Sequence, residues 1–186
     1  MITWEELEKI LYNCRRCELC RQRHNVVLGT GNRNSDIMFV GEGPGYHEDI
    51  QGEPFVGPAG QLLDKMLVSI DLDRQKVYIA NVVKCRPPGN RDPSPEERVA
   101  CLNYLRIQYL LVKPKIIVCL GRIAAISLIT PNFSITRDRG KWYYKKGVQF
   151  TATYHPSALL RDESKKGLAW KDLKAIKERL NELENN

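Results

Sequence analysis

The sequence predicts an α/β domain in which helices cover both faces of a mostly parallel, four-stranded sheet. Three observations support this fold class: the chain has four short apolar runs, amphipathic helical patterns separate them, and glycine or a polar residue closes each run. The predicted strands cover residues 36–43, 76–83, 115–121 and 148–154. The predicted helices cover residues 3–13, 57–70, 92–112, 122–129 and 168–183. No repeat, low-complexity tract or linker interrupts the pattern, so residues 1–186 are expected to form one domain.

Two helices alternate with two strands in the first half of the chain. The helix at 3–13 has one apolar face, formed by Trp4, Leu7, Ile10 and Leu11. The apolar run at 36–43 ends in glycine, which is typical of a buried strand. The helix at 57–70 begins near Pro58, a residue that suits the first helical turn. The run KVYIANVV at 76–83 is the second predicted strand.

The helix at 92–112 has the clearest start signal in the sequence. Ser94 is its expected N-cap, Pro95 its first residue, and Glu97 the residue that completes a capping box. The apolar run KIIVCLG at 115–121 follows it and is the third predicted strand.

The last quarter of the pattern is less regular. A short helix is expected at 122–129, and residues 133–148 resemble an irregular hairpin because they contain Gly140 and Gly147. The run VQFTATY at 148–154 is the fourth strand. The closing helix at 168–183 has one apolar face, formed by Leu168, Leu173, Ile176 and Leu180.

The charge and composition of the chain indicate an intracellular protein with an anionic partner. Lys and Arg outnumber Asp and Glu by 29 to 22, giving a net charge of +7, which favours a polyanion such as nucleic acid. The N-terminal stretch is amphipathic and acidic, unlike a signal peptide, and no apolar run approaches the roughly 20 residues of a membrane span. In a reducing compartment, clustered cysteines favour metal binding or catalysis over disulfides.

Several of the six cysteines have metal-ligand spacing. Cys14 and Cys17 form a C-x-x-C pair, and Cys85 and Cys101 could complete an all-thiolate site for zinc or an iron–sulfur cluster. Cys20 extends the pair to the C-x2-C-x2-C spacing of bacterial ferredoxins and is therefore a rival ligand. Cys119 lies inside an apolar strand, which favours a core role.

The candidate site lies at the carboxyl ends of the predicted strands, where α/β sheets place their ligands. Those ends carry four polar or glycine-containing signals: Gly41-Glu42-Gly43, Asn81, Gly121-Arg122 and Tyr154-His155. The turn FVGEGPGYHED lacks the lysine of a phosphate-binding loop and does not match G-x-G-x-x-G. It instead favours a ligand that presses on bare backbone beside a carboxylate; the alternative is a tight strand exit with solvated acids.

Three further side chains near these strand ends have both a functional and a structural interpretation. Asn81 could match the donor and acceptor edge of a planar base, or cap the end of its strand. Phe55 could stack on a base, or fill the core. His155 could act in chemistry, although a lone histidine is more often structural.

Four motifs, taken together and in order, resemble those of the family 4 uracil-DNA glycosylases, the iron–sulfur branch of that superfamily in bacteria and archaea. The motifs are GEGPGYHED, GEPFVGPAGQLL, NVVKCRPPGNRDPSPEE and YHPSALLR, and the resemblance runs from about Cys14 to Arg161. It implies a three-layer α/β/α sandwich and hydrolysis of deoxyuridine in DNA to free uracil and an abasic site. It also implies a [4Fe-4S] cluster on Cys14, Cys17, Cys85 and Cys101, which leaves Cys20 and Cys119 outside the ligand set.

The resemblance implies specific roles in uracil recognition and hydrolysis. His155 donates a hydrogen bond to uracil O2, Asn81 reads the O4/N3 edge, and Phe55 stacks on the extruded base. Glu42 orients the water or faces the developing sugar cation, and Asn90 holds Glu42. Backbone amides of the glycine turn approach the base at Gly41, Gly43 and Gly45.

The resemblance also implies a DNA surface and one departure from the family pattern. Five side chains are expected to contact phosphates: Ser157, Arg161, Lys84, Arg86 and Arg91. Leu159 and Leu160 could wedge into the gap left by the extruded base. The family usually has acidic residues where this chain has Tyr46 and His47, so one of these two is expected to exclude thymine.

The expected partner is uracil-containing DNA, single- or double-stranded, bound by a monomer in the cytoplasm of a prokaryote, near the nucleoid. A non-catalytic iron–sulfur or zinc nucleic-acid-binding module is the main alternative, and it leaves the glycine turn, Asn81 and His155 without a role. An electron carrier would explain the cysteines alone. A phosphoryl-transfer enzyme is disfavoured by the missing lysine.

Overall fold

One six-stranded sheet organises the fold. A computed structural model describes residues 2–185, and within them the strand order is β1-β3-β2-β4-β6-β5. The strands are β1 (Thr30–Gly31), β2 (Ile37–Gly41), β3 (Tyr78–Asn81), β4 (Ile116–Leu120), β5 (Tyr143–Lys145) and β6 (Val148–Thr153). Strands β3, β2, β4 and β6 are parallel, whereas β1 and β5 pair antiparallel at the two edges. The predicted α/β class and its four central strands are confirmed; the two short edge strands are additional.

Eight α-helices are formed over residues 2–185. They are α1 (Trp4–Tyr12), α2 (Tyr46–Gln51), α3 (Pro58–Val68), α4 (Pro95–Val112), α5 (Arg122–Leu128), α6 (Ile135–Asp138), α7 (Pro156–Arg161) and α8 (Lys166–Glu184). The five predicted helices correspond to α1, α3, α4, α5 and α8. Short 3-10 turns lie at Glu18–Arg21, Pro88–Asn90 and Glu163–Lys165.

The helices form one layer on each face of the sheet. Alternate residues of β2 point to opposite faces, so Met38 and Val40 pack with α1, α4 and α5, whereas Ile37 and Phe39 pack with α3 and α8. Burial of such a side chain contributes about 1.5–3 kcal/mol. No helix in the described part of the chain has the length and apolar character needed to cross a lipid bilayer.

The start of α4 fixes the loop at the rim of the sheet. Ser94 Oγ accepts a hydrogen bond from Glu97 N at 3.2 Å, and Glu97 Oε2 accepts one from Ser94 N at 2.8 Å. The predicted capping box, with Pro95 at the first helical position, is therefore confirmed. The Glu97 carboxylate also accepts two hydrogen bonds from Arg91, at 2.8 and 2.7 Å, which anchors the chain before α4.

Candidate active site and cysteine cavity

A cavity of about 600 Å³ lies at the carboxyl ends of the four parallel strands. Glu42 follows β2, Asn81 ends β3 and His155 follows β6, and all three line this cavity. Most of the residues predicted for the site line it as well: Gly43, Gly45, Phe55, Asn90, Arg91, Ser157 and Arg161. The sheet topology therefore brings the candidate base-reading and reacting groups together.

The floor of the cavity depends on the absence of a side chain at Gly41. A Cβ added there would lie 2.5 Å from Asn81 Oδ1 and 2.5 Å from the Phe55 ring. Contacts this short do not occur between ordinary atoms, so any larger residue would displace the amide or the ring. Gly41 is thus required for close packing of Asn81 and Phe55 beneath the cavity, whereas the predicted approach of a ligand to its backbone stays a prediction.

Phe55 is held in an unusual backbone conformation. Its φ is 56°, in the left-handed region that costs a non-glycine residue free energy. Arg74 stabilises this loop by donating hydrogen bonds to the carbonyls of Pro54, at 3.0 Å, and of Phe55, while it pairs with Asp64 at 2.6 Å. Gly60 of α3 allows the close approach, since a Cβ there would lie 1.7 Å from the Phe55 carbonyl oxygen.

The Phe55 ring forms a stacked pair with His155. The ring centroids are 5.5 Å apart and the planes are inclined by 28°. Because 5% of Phe55 is exposed, only part of the ring can meet a ligand. The side chain therefore belongs to the core, as one of the two interpretations expected, and it also lines the cavity; stacking on a base stays a prediction.

Asn81 lines the cavity and carries a buried, unpaired acceptor. The residue is 2% exposed, and its Oδ1 has no hydrogen-bond partner among residues 2–185. A buried acceptor without a donor costs about 1–3 kcal/mol, so such atoms are rare. A ligand with an N–H group at this position would supply the missing bond.

The acids that end the glycine turn have structural roles. Glu48 accepts hydrogen bonds from the backbone amides of Gly45, Val56 and Gly57, at 3.1, 2.9 and 3.0 Å. Asp49 is buried and accepts hydrogen bonds from His24 N at 2.9 Å and His24 Nδ1 at 2.7 Å. Glu42 and Glu48 both line the cavity, and Glu48 is the one whose carboxylate accepts these backbone hydrogen bonds.

Glu42 lies in a strongly perturbed electrostatic environment. The pKa of its carboxyl is raised to about 7, chiefly by burial and in part by the neighbouring Asp92 carboxylate. Arg122 and Arg161 act in the opposite direction, and Arg122 is itself paired with Asp92 at 2.6 Å. Asp92 and Arg122 line the cavity but were not among the predicted site residues. Arg122 follows one of the strand ends that were expected to carry the site, although no role was predicted for it, and Asp92 lies in the loop before α4.

Asn90 lies at the rim and has a different neighbour from the one expected. Its Oδ1 accepts a hydrogen bond from Arg86 Nε at 2.7 Å, whereas Asp92 is the polar side chain that interacts with Glu42. The expected hold of Asn90 on Glu42 is therefore replaced by one from Asp92. Arg86 also lies over the Tyr46 ring, 5.2 Å from its centroid.

His155 is the N-cap of α7, and its Nδ1 is already occupied. Nδ1 accepts hydrogen bonds from the Ser157 backbone N–H at 3.1 Å and from the Ser157 hydroxyl at 2.8 Å. The pKa of His155 is lowered to about 4, chiefly by loss of hydration and in part by the nearby positive charge of Arg161. The imidazole is therefore neutral at pH 7, with its proton on Nε2, where it can be donated to a ligand.

Lys84 was predicted to contact a phosphate, and the structure shows that this prediction is wrong. The side chain is 0% exposed. Its Nζ donates hydrogen bonds to Leu28 O at 3.2 Å, Asn81 O at 2.8 Å and Gln108 Oε1 at 2.5 Å. Burial lowers the pKa of Lys84 to about 8.

The other candidate DNA contacts differ in their availability. Arg161 is exposed beside the cavity, whereas the Arg91 guanidinium is bound to Glu97. Of the two candidate wedge residues, Leu159 is 1% exposed and belongs to the core, and Leu160 is 47% exposed. Leu160 alone remains available as a wedge.

A second, smaller cavity collects five of the six cysteines. Cys14, Cys17, Cys20, Cys85 and Cys101 line it, whereas Cys119 is fully buried within β4, as expected for a core residue. Two N–H groups point at the thiols: Arg23 Nη1 lies 3.2 Å from Cys85 Sγ, and Lys84 N lies 3.3 Å from Cys101 Sγ. Over residues 2–185, no three His, Cys, Asp or Glu side chains are placed to hold one metal ion.

A family model and several similar proteins place the chain in one protein superfamily. A sequence model of the Uracil DNA glycosylase superfamily matches residues 28–183. A type-4 uracil-DNA glycosylase of Archaeoglobus fulgidus is 48% identical over 168 residues, which cover 86% of this chain and 84% of that protein. The type-4 enzyme of Thermotoga maritima is 46% identical, with 88% of each chain covered. The type-4 enzyme of Sulfurisphaera tokodaii is 45% identical, with 96% and 85% covered.

Proposed function

Because the chain belongs to the uracil-DNA glycosylase superfamily and is 45–48% identical to three of its type-4 members, we propose that it removes uracil from DNA. The reaction is hydrolysis of the N-glycosidic bond of deoxyuridine, and it leaves an abasic site for base excision repair. The observation that carries this function is the shared cavity of Glu42, Asn81 and His155, with the Asn81 acceptor unpaired.

Uracil recognition is assigned to the floor of the cavity. Asn81 Oδ1 accepts the N3–H of uracil and its amide donates to O4; cytosine reverses both groups and is rejected. Phe55 supports the ring of the extruded base. The backbone between Gly41 and Gly45 approaches the base edge, which explains the need for residues without side chains.

Stabilisation of the leaving base is assigned to His155. Negative charge develops on uracil O2 as the bond to the sugar breaks, and the Nε2–H of a neutral imidazole donates to it. Ser157 fixes the tautomer because its N–H and hydroxyl occupy Nδ1. Ser157, first expected to touch a phosphate, thus has a role in orienting the imidazole.

Glu42 is assigned to the sugar side of the reaction. The sugar becomes oxocarbenium-like, and a carboxylate beside it stabilises positive charge and orients the attacking water. This assignment explains why the glycine turn carries an acid where a phosphate-binding loop would carry a cation.

The role of Glu42 predicts how activity varies with pH. The ionised form acts, so kcat/KM should rise as pH increases through about 7, the raised pKa of this carboxyl. Asp92→Asn removes a negative charge that raises this pKa, so the rising limb should move to lower pH. A pH–rate profile of both proteins on the same oligonucleotide checks this. Glu42→Gln is the control, since it should lose the limb; an unmoved limb in Asp92→Asn would contradict the assignment.

DNA binding is assigned to the exposed rim of the cavity. Arg161 contacts phosphates beside the target nucleotide, Arg86 and the partly exposed Arg91 add weaker contacts, and Leu160 enters the gap in the stack. Affinity for single- or double-stranded DNA then falls steeply with salt. Exclusion of thymine is assigned to Tyr46 and His47, because both line the cavity in place of the usual acidic residues.

The cysteine cavity is assigned to a [4Fe-4S] cluster on Cys14, Cys17, Cys85 and Cys101. The donor set fits such a group, because a four-iron cluster would take four thiolates and these four cysteines line one cavity. N–H donors directed at Cys85 and Cys101 also match a cluster with negative charge. The cluster is structural and joins the N-terminal segment to the loop after β3; Cys20, although it lines the cavity, is placed outside the ligand set.

The chain is proposed to act as one domain over residues 1–186 and as a monomer in the cytoplasm, near the nucleoid. Support for one domain comes from the single sheet, which draws strands from both halves of the chain. A non-catalytic iron–sulfur nucleic-acid-binding module is disfavoured, since it gives no role to the cavity or to the unpaired Asn81 acceptor.

The decisive experiment is an excision assay on an oligonucleotide with one uracil. The purified holoprotein should release uracil and leave an abasic site, which alkali converts to a strand break visible on a denaturing gel. A matched oligonucleotide with thymine at the same position is the control. Binding of both oligonucleotides without any strand break would refute the enzymatic function and favour the binding module.

A further inference from the structure

Lys84 lies in the interior between the cysteine cavity and the strand end that carries Asn81. An ammonium group has three donors and no acceptor, and each of its three partners here is an oxygen that accepts. All three hydrogens are therefore used in the interior. The group is held as a cation and is out of reach of any phosphate.

The hydrogen-bond network around Lys84 extends to three parts of the fold. Gln108 of α4 is also fully buried, and its Nε2 donates to Leu28 O at 2.8 Å and to Tyr78 Oη at 2.9 Å. The network therefore ties the segment before β1, strand β3 and helix α4 together. Lys84 is the member of this network that contacts the backbone of Asn81, at 2.8 Å.

The same residue contacts the thiol site. Its backbone N–H donates to Cys101 Sγ at 3.3 Å, it precedes Cys85 directly, and it lines the cavity formed by the cysteines. The three oxygens around Nζ are neutral, so they satisfy its hydrogens without cancelling its charge. A buried cation without a counter-charge is strongly unfavourable, and Cys101 and Cys85 are the groups whose negative charge, when they are thiolates, would stabilise it.

We propose that Lys84 is a positioning residue that balances the charge of the cysteine-bound cluster and fixes the strand end that presents Asn81 to the base. The inference rests on the proposed function. Under this proposal the cluster affects base recognition through one side chain, that of Lys84, and not by making the whole fold more rigid.

The first test compares Lys84→Met with Lys76→Met in the holoprotein. Lys76 is an exposed lysine that pairs with Asp73 at 4.0 Å, so its substitution controls for the loss of one surface charge. Removal of a cation beside the cluster should make the reduction potential more negative, because the reduced cluster carries more negative charge. The single-turnover rate of uracil release should fall about 10–100-fold, as is typical when a residue that orients a site is lost. Lys76→Met should change neither quantity.

DNA affinity as a function of salt separates this role from a phosphate contact. Loss of a phosphate-binding lysine reduces the slope of log affinity against log salt by about one. Lys84→Met should keep the slope of the unmodified protein. A reduced slope, or an iron-loaded variant with unchanged potential and rate, would overturn the proposal.

A second variant keeps the test valid if Lys84→Met fails to fold or to bind iron. Gln108→Met retains the ammonium and its two carbonyl acceptors, so it should keep the iron content and the potential while the excision rate falls several-fold. An unchanged rate in Gln108→Met would refute the link to Asn81. If the unmodified protein releases no uracil, the proposed function fails, whereas the potentials of Lys84→Met and Lys76→Met still decide the charge-balancing role.

Discussion

Replacing His155 with alanine should lower the single-turnover rate of uracil release by at least about 100-fold, because a donor to the developing charge on O2 is lost. In the unmodified protein Ser157 occupies Nδ1, so Nε2 is the ring nitrogen that donates and that the variant loses. Quantification of released uracil under excess enzyme measures the effect directly. Since the pKa of His155 is about 4, its protonation should not limit the rate of the unmodified protein above pH 5.

Ser157→Ala is the matched control for His155. It removes the hydroxyl but keeps the backbone N–H that Nδ1 accepts, so the tautomer is retained and the loss of rate should be much smaller. The melting temperatures of both variants show whether loss of packing against Phe55 has destabilised the fold. A rate of uracil release in His155→Ala equal to that of the unmodified protein would remove His155 from the mechanism.

Replacing Asn81 with alanine should have opposite effects on activity and stability. The rate of uracil release should fall by at least about 100-fold, because the cavity loses the amide that forms hydrogen bonds with the edge of the base. The free energy of unfolding should stay the same or rise, since the unpaired Oδ1 costs about 1–3 kcal/mol while no ligand is bound. Excision kinetics and denaturant unfolding of the same preparation measure both quantities.

Asn90→Ala is the control for Asn81, because Asn90 lies at the rim of the same cavity and bonds Arg86. It should reduce the rate far less than Asn81→Ala. If Asn81→Ala unfolds more easily and loses activity only in proportion, the amide serves the strand and not the base.

The central sheet was predictable because its strands are strongly patterned. Each of the four parallel strands is an apolar run closed by glycine or a polar residue. Because the strands are parallel, the sheet places those closing residues together at its carboxyl-terminal end. The segment 133–148 was expected as an irregular hairpin, and it contains β5, which pairs antiparallel with β6. The edge strand β1 was missed because two residues are too few to show a period. The six-residue helices α2 and α7 were missed for the same reason.

The site was predictable where a residue follows directly from a strand end, as Glu42, Asn81 and His155 do. It was not predictable where the partner comes from elsewhere in the chain. Lys84 resembles a surface lysine in the sequence, because its acceptors on Leu28 and Gln108 are distant along the chain. Asp92 was not predicted, because it stands among several charged residues in the sequence. Its effect on the pKa of Glu42 depends on the fold, which brings the two carboxyl groups together.

The left-handed backbone of Phe55 has a consequence for how the protein selects its target. The ring is set before any DNA arrives, by Arg74 from one side and the space left at Gly41 and Gly60 from the other. Little conformational entropy remains to be lost on the protein side, so the main cost of association is the distortion of the nucleic acid itself. We therefore expect uracils in mismatched or loosely stacked positions to be removed fastest. The ease with which the DNA melts locally, and not any adjustment of the enzyme, should decide which uracil is removed first.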